Sequence, residues 1–367
     1  MKLLRRALLA LSLAAGRLDR APRPAVMTGG VAVGTDPTSP IVGIIGSGVT
    51  GQAVGRVLEM LGFRRAWFDV DNDAARRAAG IYGGVVVESH ADLAVADVVV
   101  LASPALHAEK AARFVAEGVH VVCLSDDPDD VASLVDLDAA ARRHGVSLVV
   151  GAGVSPGLSG VLARHLASRL HVVDEIHVAM HGTGGPACAR QHHDALGGTA
   201  LGWHDGEWIE RPGGSGRELC WFPEPIGPAD CYRAALADPA LLHLAFPEAE
   251  RISARVSATR RDRLTARLPM LSPPHREGDR GALRVEVRGS VVGGERVTHL
   301  VGAVGRTGDL AGAVAASFAA ACVSGRAEAG LVISGHDRPL AEWMLRSLAD
   351  VGVMLQEYTG VATGGSA

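Results

Sequence analysis

A glycine-rich turn between an apolar run and a helical segment restricts the folds open to this chain more than any other feature. Ile41 to Ile45 reads IVGII, which is typical of a strand buried in a parallel sheet. Apolar residues then recur at helical spacing from Val54 until Gly62. Between the two lies a complete G-x-G-x-x-G pattern: Gly46, Ser47, Gly48, Val49, Thr50 and Gly51. The sequence therefore predicts a strand, a tight turn and a helix in direct succession.

Each glycine of this pattern has its own mechanical reason. Gly46 permits the tight turn, Gly48 lets the backbone approach a pyrophosphate, and Gly51 lets the helix pack closely on the strand. The unpaired N–H groups at the start of the helix then face the phosphates. We therefore expect the six residues to bind a dinucleotide cofactor.

An acidic residue at the end of the next apolar run bears on the choice of cofactor. Residues 65–69 predict a second strand, and Asp69 lies roughly 20 residues after the glycines, where an acid accepts hydrogen bonds from the adenosine ribose. Its carboxylate would also repel a 2′-phosphate. The sequence thus favours NAD over NADP, and Arg76 and Arg77 in the following helix are the groups that would reverse this preference.

Strands and helices continue to alternate along the chain. The predicted strands are 84–87, 97–102, 120–124 and 147–151, and the predicted helices are 72–79, 106–117 and 131–143. Such alternation requires crossovers and a parallel, doubly wound sheet, whose ligands lie beyond the carboxyl ends of its strands. We therefore expect Ser103 and Pro104 to contact the cofactor, with the turns at Ser125-Asp126 and 153–157 also near the nicotinamide.

After Pro156 the pattern changes to strands of alternating character. It predicts a mostly antiparallel sheet of about five strands, with hairpins at Asp205-Gly206 and Gly293-Gly294. The predicted fold class is α/β: a Rossmann-type doubly wound parallel sheet with a second α+β domain built on a mostly antiparallel sheet. The expected divisions are 1–40 for a leader or misassigned start plus flexible lead-in, 41–156 for the NAD(P)-binding Rossmann domain, 157–308 for the substrate and association domain, 309–359 for C-terminal helices that pack back on the first domain, and 360–367 for a tail.

Residues 182–193 form the densest cluster of polar and reactive side chains, and the sequence assigns them to a loop of the second domain. A histidine titrates near neutral pH, so His192 or His193 would exchange the proton that accompanies hydride transfer. Arg190 would bind a substrate carboxylate with two N–H groups. The alternative is a glycine-rich loop whose histidines face solvent. Cys188 and the two histidines lack a fourth ligand, so no metal site is expected.

Two stretches carry a resemblance to a known family: DVVVLASPALHAEKAARFVAEGVHVVCLSDD and VSLVVGAGVSPGLSGVLARHLA. Over residues 91–169 the chain resembles the saccharopine dehydrogenase-like oxidoreductases. The family has an apolar strand that ends in alanine-proline and a G-x-x-P-G turn that opens the second domain. The resemblance implies NAD(P)-dependent hydride transfer at an amino-acid-like, imine or oxo carbon. Ser155 stands where the family commonly has an aspartate.

Two alternatives remain open. Pro104, His107 and residues 118–121 are also similar to the glucose-fructose oxidoreductase superfamily, which implies a sugar or polyol dehydrogenase. The Glu-Lys-Pro motif of that superfamily would fall at 124–126, where this chain has Leu-Ser-Asp, so the catalytic lysine is missing. The second alternative is a dinucleotide-binding sensor or assembly protein without catalysis, since no motif fixes an acid–base residue.

Composition excludes several kinds of partner. The net charge of −4 predicts no binding to nucleic acid, and no segment is apolar enough to span a membrane. Five cysteines without CxxC spacing exclude a disulfide scaffold and fit a reducing compartment. Residues 1–16 follow the pattern of an export leader, or they precede a true start at Met27. Since a nucleotide cofactor is supplied in the cytoplasm, we expect a cytoplasmic homo-oligomer, with a dimer as the expected form, that acts on a small molecule carrying a carboxylate.

Overall fold

The computed structural model describes residues 38–268 and 280–358; the expected leader, most of the lead-in and the tail lie outside them. The strands are β1 (Ile41–Ile45), β2 (Arg64–Phe68), β3 (Val85–Val86), β4 (Val98–Leu101), β5 (His120–Cys123), β6 (Ser147–Val150), β7 (Val172–His181), β8 (Thr199–His204), β9 (Glu207–Pro212), β10 (Glu218–Trp221), β11 (Pro228–Arg233), β12 (Arg251–Ser257), β13 (Arg280–Ser290), β14 (Arg296–Arg306), β15 (Gly330–Ile333) and β16 (Leu355–Tyr358). The α-helices are α1 (Val49–Met60), α2 (Asn72–Tyr82), α3 (Ala108–Ala116), α4 (Pro128–Val135), α5 (Asp138–His144), α6 (Leu158–Ala167), α7 (Pro186–Gly197), α8 (Asp238–Ala245), α9 (Arg260–Thr265), α10 (Thr307–Val323) and α11 (Arg338–Asp350).

The first sheet is parallel throughout. Its strand order is β15-β6-β5-β4-β1-β2-β3, which is doubly wound about the β1–β4 pair. Strands β4 and β6 are buried along their whole length, as continuous apolar runs predict. The strand order reverses at β1 and β4, so the carboxyl ends of these two strands border a crevice. This arrangement confirms the predicted Rossmann-type sheet.

One predicted helix of this region is in fact two. The sequence predicts a helix over 131–143, whereas the structure has α4 and α5. Helix α4 begins earlier than predicted because Pro128 occupies its first turn and the Asp127 carboxylate accepts hydrogen bonds from the N–H groups of Asp129 and Asp130.

The second sheet is larger than the sequence indicates. Strands run in the order β10-β11-β12-β7-β13-β14-β16, with β8 also paired to β12 and β9 paired to β8. All pairs are antiparallel except β7 with β12. The mostly antiparallel character and both predicted hairpins are confirmed, with positive φ angles at Asp205 and at Gly206, Gly293 and Gly294. The prediction of about five strands is wrong, because the sheet has nine among the described residues. Two of those that were missed, β10 and β16, are short and largely exposed, so they carry little alternation.

The last part of the chain contributes to both sheets. Helix α10 lies so close to α1 that a Cβ atom built on Gly312 would sit 2.5 Å from the Cβ of Ala53. Strand β15 then adds to the first sheet beside β6, and β16 adds to the second sheet beside β14. The sequence predicts neither strand, since four residues are too few to show a period.

None of the helices among the described residues is both long and apolar enough to cross a membrane. The longest of them, α10, has 17 residues and is buried along most of its length.

Candidate functional site

A cavity of about 560 Å³ lies at the carboxyl ends of β1, β4 and β5. The glycine-rich turn after β1, Asp69 after β2, and the turn at Ser103 and Pro104 after β4 all line it. Residues 184–188 and 190–192 from the second sheet's side of the molecule line the same cavity. The predicted cofactor-binding turns and the predicted reactive cluster therefore meet in one space.

The three motif glycines differ in what surrounds them. A Cβ atom on Gly46, whose φ is +102°, would lie 2.7 Å from the backbone nitrogen of Ser103. A Cβ atom on Gly51 would lie 1.8 Å from the carbonyl oxygen of Gly46. A Cβ atom on Gly48 would meet nothing within 4 Å, and this residue lines the cavity. The packing of the protein itself therefore requires glycine at positions 46 and 51. At Gly48 the glycine instead keeps the cavity wall open, so that a ligand could approach the backbone.

The start of α1 is suited to bind an anion. Among the described residues no side chain caps this helix, and its first turn holds no acidic residue. The hydroxyl of Ser47 is buried and has no hydrogen-bond partner within the described residues. Free N–H groups and the helix dipole favour a negatively charged ligand at such a terminus. A dinucleotide pyrophosphate therefore fits the residues present.

The Asp69 carboxylate is held at the rim of the cavity. It accepts hydrogen bonds from the backbone N–H groups of Ser47, at 2.6 Å, and of Asp71, at 2.9 Å. Arg76 and Arg77 do not line the cavity; they form exposed ion pairs with carboxylates of their own segment. Neither arginine therefore places a positive charge in the cavity beside Asp69.

A buried ion pair supports the turn after β4. His107 Nδ1 lies 2.9 Å from Asp130, and His107 Nε2 lies 2.8 Å from the carbonyl oxygen of Ser103. Both ring nitrogens face acceptors, so both carry a proton. Burial acts to lower the pKa of His107, but hydrogen bonds and charges from Asp130 and Cys123 outweigh it and raise the pKa to about 10. His107 is only 1% exposed, and its hydrogen bond holds the carbonyl group of Ser103 in place.

Residues 186–193 are helical rather than a loop. Pro186 occupies the first turn of α7, where its missing N–H is not needed. His192 is nine-tenths buried and lines the cavity, and Arg190 lines it from an exposed position. His193 does not line the cavity; its Nε2 lies 3.0 Å from the carbonyl oxygen of Leu268. The helix thus separates two histidines that the sequence treats as equivalent.

His192 belongs to a polar cluster with Asp126 and Cys188, and all three line the cavity. His192 Nε2 lies 3.8 Å from a carboxylate oxygen of Asp126 and 3.8 Å from the sulfur of Cys188. Burial lowers the pKa of His192, and the nearby charge of Asp126 only partly opposes this. Burial also raises the pKa of Asp126, against the effect of His192. The imidazole is therefore neutral at pH 7.

A second carboxylate supports the turn at 153–157. The Asp238 side chain, fully buried at the start of α8, accepts hydrogen bonds from the hydroxyl groups of Ser155 at 2.8 Å and Ser159 at 2.7 Å. Burial raises the pKa of Asp238 to about 6, although both hydrogen bonds act to lower it. A carboxylate thus lies at this turn even though Ser155 stands where the resembling family commonly has an aspartate.

Several residues of the site escape sequence analysis. Lys110 is partly buried and lines the cavity, although nothing in its sequence neighbourhood indicates this. Asp130 and Asp238 lie in the first turn of their helices, where acidic residues are common because they complement the helix dipole. For Asp126 the sequence does indicate a place near the site, because this residue comes soon after a buried strand and hence lies near the carboxyl edge of the sheet.

Comparisons with known proteins bear on the fold. No protein-family model matches the sequence, and no curated protein matches it. Apo saccharopine dehydrogenase (L-Glu forming) from Saccharomyces cerevisiae is similar in structure, with a TM-score of 0.65, 15% identity, 88% of this chain covered and 100% of that one. This chain has a saccharopine dehydrogenase-like fold. GenD2 from gentamicin A biosynthesis in complex with NAD (18% identity, 93% and 100% covered) and a putative myo-inositol dehydrogenase from Sinorhizobium meliloti 1021 (16%, 88% and 100%) are similar at a TM-score of 0.45 each.

Proposed function

We propose that this protein is an NAD(P)-dependent oxidoreductase of saccharopine dehydrogenase-like type. It transfers a hydride at an amino-acid-like, imine or oxo carbon of a small molecule. The observation that carries the proposal is the shared cavity, which is lined both by the glycine-rich turn and by the Asp126, Cys188 and His192 cluster. Hydride transfer needs the cofactor and the reacting carbon side by side, and one cavity of about 560 Å³ meets that need.

The cofactor-binding part of the proposal rests on the residues that fit a dinucleotide. Residues 46–51 would hold the pyrophosphate, and Asp69 would accept hydrogen bonds from the ribose, with NAD favoured over NADP. Ser103, Pro104 and Gly153 line the cavity where the nicotinamide, which supplies or accepts the hydride, would be held. The open space at Gly48 and the unpartnered Ser47 hydroxyl support this assignment.

The substrate part of the proposal rests on the polar residues of the second region. Arg190 lines the cavity and forms no ion pair with another described residue, which suits it to bind a substrate carboxylate. A hydride added to a C=O or C=N carbon leaves negative charge on the heteroatom, and that charge must be compensated. His192, next to Asp126, would donate the proton; His193, which does not line the cavity, would take no part.

Self-association and location complete the proposal. We propose a homo-oligomer that works in the cytoplasm. Strand β10 lies at one edge of the second sheet and exposes Leu219 and Trp221 by more than half, as a surface buried between copies would. The five cysteines are all free thiols, which agrees with a reducing compartment.

The full chain is assayed with NADH and NADPH against imines and oxo acids, and with NAD and NADP against sugars and polyols, to test the proposed function. We expect activity with carboxylate-bearing imines or oxo acids. His192→Ala should lower turnover by about 10²–10⁴-fold and leave dinucleotide affinity unchanged. His193→Ala, one residue along the same helix, should leave both unchanged.

Three results would count against the proposal. Dinucleotide binding without turnover of any substrate would support the sensor alternative instead. Turnover of sugars alone would support the polyol dehydrogenase alternative. Equal losses of turnover in His192→Ala and His193→Ala would show that His192 is not the proton donor.

A further inference from the structure

We propose that Asp126, Cys188 and His192 bind a divalent metal ion of the zinc type, with a fourth coordination position open to the cavity. The inference rests on the proposed function, because it specifies how the charge on the substrate heteroatom is compensated.

The spacing of the three ligand atoms is the first argument. His192 Nε2 lies 3.8 Å from the Asp126 carboxylate and 3.8 Å from the Cys188 sulfur, and all three atoms lie within 4.8 Å of one another. Around a tetrahedral zinc ion with Zn–S near 2.3 Å and Zn–N or Zn–O near 2.1 Å, neighbouring ligand atoms are about 3.3–3.6 Å apart. The two distances to His192 would have to shorten by a few tenths of an ångström, and the distance between Asp126 and Cys188, which is at most 4.8 Å, by up to about 1 Å. Rotation of the side chains would supply these movements.

The elements that carry the ligands form the second argument. Cys188 and His192 are four residues apart on α7, so both project from one face of the helix. Asp126 comes from the connection between β5 and α4, in the middle of the parallel sheet. Thiolate, imidazole and carboxylate are the three ligand types that zinc takes in catalytic sites with one open position. Two of the three ligands therefore lie on one helix, and the third lies in the short connection at the carboxyl end of β5.

The charges around the cluster form the third argument. Asp126 forms no ion pair with any lysine or arginine of the described residues, and buried Asp238 is close enough to act on its charge. A divalent cation would supply the positive charge that no described lysine or arginine gives the Asp126 carboxylate.

A second group of possible ligands serves as a contrast. His107, Cys123 and Asp130 also lie within 4.8 Å of one another. However, His107 and Asp130 already share a hydrogen bond of 2.9 Å, and the other ring nitrogen faces the carbonyl oxygen of Ser103. An ion there would have to break a complete hydrogen-bond set. No ion is expected at that group.

The ion would change the role of His192. With Nε2 coordinated, the imidazole would act as a ligand and would keep its one proton on Nδ1, so Nε2 would have no proton to give the substrate. A reduced nicotinamide would give its hydride to the substrate carbon and become oxidised, while the π electrons of the C=O or C=N bond move to the heteroatom. The ion would bind that heteroatom at its open coordination position until a proton from solvent water reached it. Binding of the ion releases the thiol proton of Cys188 to solvent.

Cobalt(II) titration of the chelator-treated full chain is the direct test, because its spectrum reports ligand type without turnover. We expect one equivalent to bind with tetrahedral d–d bands and a thiolate charge-transfer band, and zinc to displace it. Cys188→Ala should abolish the charge-transfer band. His192→Gln and Asp126→Asn should weaken binding by at least about 10–100-fold. The matched control is His193→Gln, which should bind cobalt like the wild type.

The outcomes separate this inference from the proposed function. Absence of a thiolate band, or equal weakening by His193→Gln and His192→Gln, would overturn the metal site. Full turnover by chelator-treated protein would also overturn it, and would leave the oxidoreductase with His192 as its proton carrier. Cobalt binding in a protein that binds no dinucleotide would contradict the proposed function and leave the metal site in place.

Discussion

At the scale of single residues, we expect substitutions at two glycines of the motif to have opposite effects on stability and on cofactor binding. Gly48→Val should leave the free energy of unfolding within about 0.5 kcal/mol of the wild type, because the added side chain enters open space. It should abolish dinucleotide binding, because the same space is needed for the pyrophosphate. Gly51→Ala should instead destabilise the fold by about 1–3 kcal/mol or more, since its Cβ would lie 1.8 Å from a carbonyl oxygen. Urea unfolding and calorimetric titration separate the two effects; unchanged affinity in Gly48→Val would contradict the cofactor site.

Asp69 gives the second residue-scale prediction. Asp69→Ala should weaken NAD binding and spare or improve NADP binding, because it removes a ribose acceptor and a negative charge together. A charge-assisted hydrogen bond contributes about 1.5–3 kcal/mol, so the ratio of the two dissociation constants should change by at least about tenfold. Binding titrations of both cofactors measure this ratio. A wild-type protein that already prefers NADP tenfold would show that the argument from Asp69 is wrong.

At the scale of elements, the His107–Asp130 pair connects the turn after β4 to α4. Asp130 is fully buried; burial acts to raise its pKa, but hydrogen bonds from His107 outweigh this and hold the pKa at about 2. The histidine has its pKa raised from 6.5 to about 10, so its contribution is complete below pH 6.5 and is lost as pH rises toward 10. The aspartate contribution is complete above pH 3.8 and is lost as pH falls toward 2. The pair therefore stabilises the fold most between about pH 4 and 6.5.

Asp130→Asn tests this pair. Removing one partner leaves a buried charge uncompensated, so the variant should lose about 3–5 kcal/mol of stability at pH 5. The loss should shrink toward pH 10, where the wild type itself loses the imidazolium. Urea unfolding at several pH values measures the difference. A loss that is independent of pH would show that the pair is not ionic.

At the scale of the whole molecule, α10 joins the end of the chain to the cofactor site. A Cβ on Gly312 would lie 2.5 Å from the Cβ of Ala53 and 2.7 Å from its carbonyl carbon. Gly312→Ala should therefore move α10 away from α1, cost about 1–3 kcal/mol, and weaken dinucleotide binding through the displaced start of α1. The control is Gly80→Ala on α2, where a Cβ meets nothing and better helix propensity should add up to about 1 kcal/mol. Urea unfolding and dinucleotide titration measure the two effects, and wild-type dinucleotide affinity in Gly312→Ala would contradict this coupling.

The sequence alone determined the features that depend on neighbours along the chain. Periodicity predicts the strand and helix within residues 41–60 and the parallel sheet. The spacing of the glycines predicts the tight turn and the position of Asp69, because only glycine fits the backbone at Gly46 and Gly51. The sequence did not predict β15 and β16, which are four-residue strands stabilised by partner strands far away in the chain. Sequence analysis also assigned residues 186–193 to a loop, because Pro186 and the glycines before it are typical of loops and here stand at the start of a helix.

Only the tertiary structure decided which reactive residues meet. Asp126 and His192 are far apart in the chain, and no local preference distinguishes His192 from His193. Helix α7 makes the distinction by turning one imidazole toward the cavity and the other toward Leu268. Side-chain proximity between distant elements follows from sheet order and helix packing, which sequence periodicity describes one element at a time. The cofactor motif could therefore be identified by its spacing, whereas the cluster that would act on the substrate is a product of the fold.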